Sequence, residues 1–122
     1  MTELHNLNIF SEEDIGDFIV TALEGGSNYW IDHMIFDRSN CPKETSYYDV
    51  PMKGGKIVIA QQEEWVEGDI EVTLDKEAVD RGLEILRVKY PWHYRDLFKG
   101  EYDVTAADAW LQCAVLGDID YG

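Results

Sequence analysis

The first 37 residues contain no lysine or arginine, and neither do the last 23, although these two segments carry eight and five acids respectively. The bases sit between them. Arg38 to Asp75 has four bases against eight acids, and Lys76 to Lys99 has six against four, in a chain of 122 residues with a formal charge of -15. Ends of this kind cannot serve as arms on a phosphate backbone, which needs a basic track. The summed field repels nucleic acid and anionic membrane and attracts basic surfaces.

Cysteine is equally sparse. Cys41 lies in a polar stretch and Cys113 in a helical pattern, without CxxC spacing, so both are expected to be free thiols. No run approaches the roughly 18 to 20 apolar residues of a membrane span. Met1 to Asn8 lacks the positive charge and apolar stretch of a signal peptide, so the expected setting is the cytoplasm. Phosphate-binding glycine motifs and HExxH are absent, and His5, His33 and His93 show no ligand spacing. Asp118 and Asp120 stand two apart but are too few to hold a hard cation. No cofactor and no metal are implied. Cys113, three residues after Trp110 on an apolar face, reads as a small hydrophobe and not as a nucleophile.

Apolar residues make up 45% of the chain, with four Trp, seven Tyr and four Phe, which is the composition of a folded protein and not of an acidic tail. One domain, residues 1–122, is expected, with a long loop over 37–55. Ser11 followed by Glu12, Glu13 and Asp14 predicts a capped helix start, with Ile15, Phe18, Ile19, Ala22 and Leu23 on one face. Gly25-Gly26 is expected to end that helix in a left-handed conformation. Strands are predicted at Tyr29 to Phe36, Lys56 to Gln61 and Asp69 to Leu74, the last two forming an antiparallel pair. Asp75 should cap a helix running through Ala78, Val79, Leu83 and Leu86, with Gly82 marking a close packing contact and Pro91 stopping it. Pro91 then opens a short helix from Trp92 to Phe98, ended by Gly100. Thr105 to Asp108 reads as a second capping-box-like start, for a last helix ended by Gly117. These elements predict an α+β domain in which a small antiparallel sheet of about three strands packs with about four helices.

Two acidic groups stand out. Glu12, Glu13 and Asp17 fall on the solvent side of the first helix, and Glu63, Glu64, Glu67, Asp69 and Glu71 crowd the hairpin. Solubility alone accounts for many acids. Carboxylates presented like duplex phosphates also fit the basic groove of a nucleic-acid enzyme. The aromatic run Trp92-His93-Tyr94-Arg95 with Phe98 resembles a stacking platform in composition, but only Lys89, Arg95 and Lys99 accompany it, so core or subunit interface is the expected use. The four tryptophans are also compatible with a homo-oligomer.

Two segments carry a resemblance, Thr21-Ala-Leu-Glu-Gly-Gly-Ser-Asn-Tyr-Trp30 and Ala106-Ala-Asp-Ala-Trp-Leu-Gln-Cys-Ala-Val-Leu-Gly-Asp-Ile-Asp-Tyr-Gly122. They resemble the opening and closing signatures of a family of small uncharacterised proteins of bacteriophages and other mobile elements. The family's closing pattern is roughly Asp-Ala-Asp, then Gln-Tyr-Ala-Leu-Phe-Gly-Glu-Ile-Val-Tyr-Gly, from which Trp110 and Cys113 depart. The resemblance implies a setting, the cytoplasm of a bacterial host cell, and no mechanism.

Setting and charge together predict a non-enzymatic phage or mobile-element protein that docks on a basic surface of a bacterial protein. The target would be a nucleic-acid-binding defence protein, inhibited in the manner of anti-restriction or anti-CRISPR proteins, by DNA mimicry. Direct nucleic-acid and membrane binding are not expected. A second reading makes Glu24, Asn28, Trp30, Asp108, Gln112 and Tyr121 one pocket of a small-molecule binder or small enzyme. A third is an acidic immunity protein that plugs a toxin's basic active site.

Overall fold

The first helix, α1, starts where side chains replace missing backbone partners. In the computed structural model, which describes residues 10–98 and 104–122, α1 spans Glu12–Thr21. The Ser11 hydroxyl accepts from the Asp14 N–H, and the Asp14 carboxylate accepts from the Ser11 N–H, each at 3.0 Å. The chain does not turn left-handed at Gly25-Gly26 as expected. It widens into a π-helical turn, Ala22–Gly26, closed by the Ser27 N–H on the Ala22 carbonyl at 2.8 Å. Gly26 answers a tertiary need instead, because a Cβ there would lie 2.6 Å from the Val104 carbonyl oxygen.

Strands β1 (Ile31–Asp37), β2 (Lys56–Gln61) and β3 (Glu71–Leu74) form an antiparallel sheet in the order β1-β2-β3. The register shifts between Ile31 and His33, which interrupts the two-residue alternation of this segment. The bulge turns Ile31 inward and still brings Met34 and Phe36 onto the core face, with Ile57, Ile59 and Leu74. His33 and Ile35 stay exposed. The 37–55 connection is not structureless, since it contains two 3₁₀ turns, Tyr47–Asp49 and Pro51–Lys53, around a buried Val50.

Helix α2 (Lys76–Lys89) is capped by Asp75, whose carboxylate accepts from the Ala78 N–H at 2.9 Å. Helix α3 (Pro91–Leu97) has proline at its first position; its expected terminator Gly100 lies outside the described residues. Helix α4 (Val104–Leu116) begins one residue before Thr105, so Thr105 is inside it and not its cap. Gly117, at φ +86°, ends it as expected. From Ala106 to Ala114 every residue of α4 is buried. A helix buried on all sides is the centre of its domain, and α1, α2, α3 and β3 pack around this one. The fold is α+β, four helices with a three-stranded antiparallel sheet among the described residues.

Candidate functional site

Asp108 stands where α4 crosses the segment after the π-helical turn. Its side chain, in a residue only 8% exposed, meets no cation among the described residues; four neutral donors surround it. Oδ1 accepts from the Ser27 hydroxyl at 2.7 Å and from Trp30 Nε1 at 2.8 Å. Oδ2 accepts from the Tyr29 hydroxyl at 2.7 Å and from Gln112 Nε2 at 3.0 Å. Two donors per oxygen fill the capacity of a carboxylate. Burial, then the hydrogen bond to Asp108 and its charge, push the Tyr29 phenol well above its ordinary value.

Gln112, one helical turn on, joins this cluster to the C-terminal segment. Its Oε1 accepts the N–H groups of Asp120 and Tyr121, both at 2.8 Å, and its Nε2 also reaches the Tyr29 hydroxyl and the Tyr121 carbonyl. The Tyr121 ring stacks on Trp30 at 5.4 Å between centroids, and its hydroxyl donates to Gln61 Oε1 at 2.6 Å. Asp118 is held by Lys89 Nζ at 2.8 Å and by the Tyr90 hydroxyl at 2.6 Å, which together with the Ile119 N–H bring its carboxyl down to about 2.

Of the six residues expected to form one pocket, Trp30, Asp108, Gln112 and Tyr121 meet. Glu24 does not join them; it is exposed and bound by the Tyr47 hydroxyl, and Asn28 is exposed as well. Ser27, Tyr29 and Gln61 were not among the expected residues and complete the cluster. Ser27 and Tyr29 flank Asn28 in the same motif, which is the signal that pointed to them; nothing in the sequence singles out Gln61. Among the described residues no buried side-chain polar atom lacks a partner. The cluster is therefore a clasp between the two terminal motifs in which both Asp108 oxygens are fully engaged.

No protein-family model, curated protein or solved structure matches the chain. What bears on function is the chemistry of the chain itself.

The charged surface differs from the clasp in every respect. Glu12, Glu13, Asp17, Glu63, Glu64, Glu67, Asp69 and Glu71 are all exposed. Among the described residues, only Glu12 of these eight has an ion pair, with Lys53 at 2.9 Å. Lys76, Arg87 and Lys89 are taken by Asp80, Glu84 and Asp118. The two acidic groups are separate. Those of α1 border Tyr48, Asp49 and Lys53, just before β2, whereas the other five follow β2 after its six residues, on the order of 20 Å away along the strand. Around the aromatic run, Tyr94 packs on Phe10, but Trp92 and Phe98 stay about half exposed, so they are not core. Trp30 and Trp110 are buried completely.

Cys113 has no surface exposure, and burial, followed by the charge of Asp118, raises its thiol to about 12. Such a thiol is inert. Its titration has a sign. The unfolded chain loses this proton near 9 and the folded protein holds it to about 12, so the stability it protects is complete below pH 9 and declines from there to 12. Urea unfolding between pH 8 and 10.5 is expected to show this decline. A Cys113→Ala variant should lose one proton's worth of the slope, whatever its stability at pH 8.

Proposed function

We propose that the protein is a non-enzymatic binding protein of a phage or mobile element, which docks through exposed carboxylates on a basic, nucleic-acid-binding surface of a bacterial defence protein. The observation that carries this reading is the connection between β2 and β3. Five acids fall within the nine residues from Glu63 to Glu71, every one exposed and none ion-paired among the described residues. Like charges crowded on one turn repel and lower stability. A protein needing acids only for solubility can spread them; concentrating them is useful where they meet a complementary field. The phage setting rests on the resemblance of the terminal motifs. The clasp favours this reading over a ligand pocket at Asp108, because both Asp108 oxygens are already engaged by their neighbours.

The test uses a variant with Glu63, Glu64 and Glu67 changed to Gln. Relief of repulsion is expected to raise its stability by about 0.5 to 1 kcal/mol, or a few degrees in melting temperature. Affinity capture from bacterial lysate should meanwhile lose the partner that the unchanged protein retains at low salt and releases at high salt. If the retained protein ignores both salt and the three substitutions, docking by charge is wrong.

A further inference from the structure

Beside the acidic turn lies a groove whose floor is not acidic. Val72 of β3, Val115 and Leu116 at the end of α4, and Val66 of the turn line it, all half-buried. Its rim carries Glu67, Asp69 and Asp120, three exposed carboxylates without an ion pair among the described residues. The volume, about 560 Å³, has room for one or two aliphatic side chains. The walls are tied together before anything binds: the Tyr121 hydroxyl donates to Gln61 Oε1, and Gln61 Nε2 donates to the Asp69 carbonyl at 3.1 Å. One wall is thus linked to the other through a buried amide, which lowers the ordering cost of an occupant.

We infer that this groove takes a segment of the partner protein in which an aliphatic residue, such as leucine, is flanked by lysines or arginines. The inference rests on the docking reading above and names the partner's chemistry at that site. Charge complementarity selects the occupant. A purely apolar segment would cover three carboxylates without pairing them, a desolvation loss with no return, whereas a purely basic one would leave the valine and leucine floor in water. A segment with both satisfies floor and rim together, in the manner of an anchor residue within a polar margin.

Two peptides of equal charge test it on the full-length protein, Lys-Arg-Leu-Leu-Lys-Arg and Lys-Arg-Ser-Ser-Lys-Arg, both with blocked ends. Affinity is read by calorimetry at low ionic strength and the location by methyl NMR. The leucine peptide is expected to bind at least about tenfold more tightly, with shifts at Val72, Val115 and Leu116. Val66→Ser should reduce that preference while leaving the serine peptide's affinity unchanged. Equal, salt-sensitive binding of both peptides overturns the groove and leaves docking by charge standing. Leucine preference with methyl shifts elsewhere, for example at Val88, also overturns the groove. Binding of neither peptide overturns the groove and counts against charge docking too.

Discussion

Changing Asp108 to alanine is expected to destabilise the protein by about 4 kcal/mol, a large part of the 5 to 15 kcal/mol typical of a domain. The Ser27 hydroxyl and the Trp30 indole N–H would lose their acceptor, in residues with no surface exposure, while the Gln112 amide keeps the Tyr29 hydroxyl and the Tyr121 carbonyl, and the Tyr29 hydroxyl is in a residue exposed enough to turn to water. Each buried donor left alone costs about 1 to 3 kcal/mol. Asp108→Asn keeps the shape but puts an amide NH₂ where donors already converge, so about 2 to 3 kcal/mol is expected from it. Urea unfolding with an unchanged denaturant slope is the measurement. The sign discriminates between roles. A carboxylate kept buried for a ligand is under strain in the empty protein, and its removal commonly raises stability. A rise on Asp108→Ala would overturn the clasp and restore the pocket.

The same residue shows where sequence reading succeeds and where it stops. Ser11 with Asp14, Asp75 with Ala78, and Pro91 at a helix start are legible because each partner lies within three residues, so local chemistry decides. Thr105 to Asp108 has the same spacing but a different outcome. Three of the four partners of Asp108 are 78 to 81 residues away, and no local pattern distinguishes a capping acid from one that three distant donors are waiting for. Gly25-Gly26 was misjudged for a related reason, since the pressure on Gly26 comes from the Val104 carbonyl and not from its own turn. That the two terminal motifs would meet was legible because the two ends of a single domain often lie close together. That Glu24 would leave the group was not, because Tyr47, which binds it, lies in the connection that carries no periodicity. The exposed acids were legible because their clustering is a property of the chain itself, whereas the groove beside them needs α4, β3 and the turn brought together.

Gly82→Ala is expected to cost about 3 kcal/mol, although helix propensity alone favours the change by about 1 kcal/mol. A Cβ at Gly82 would lie 2.7 Å from both the Cα and the Cβ of Ala114 and 2.8 Å from its nitrogen. The Cα and the nitrogen belong to the backbone of α4, the helix enclosed on every side, and the Cβ is fixed to it, so relief requires moving α4 against all its neighbours. Arg81 ties the two helices at the same level, its Nη2 donating to the Ala114 carbonyl at 2.9 Å, and would be strained by any such shift. Thermal unfolding should report a fall of roughly 10 °C. Gly25→Ala provides the contrast, since there the nearest atom to an added Cβ is Val104 Cγ1 at 3.7 Å, an ordinary contact, and the backbone is not left-handed. That variant is expected to be neutral or slightly more stable. The identical substitution acting in opposite directions at two helical glycines would show that the α2–α4 contact sets the cost. Equal effects at both positions would mean that α4 has room to move and is not the rigid centre around which the clasp and the acidic turn are placed.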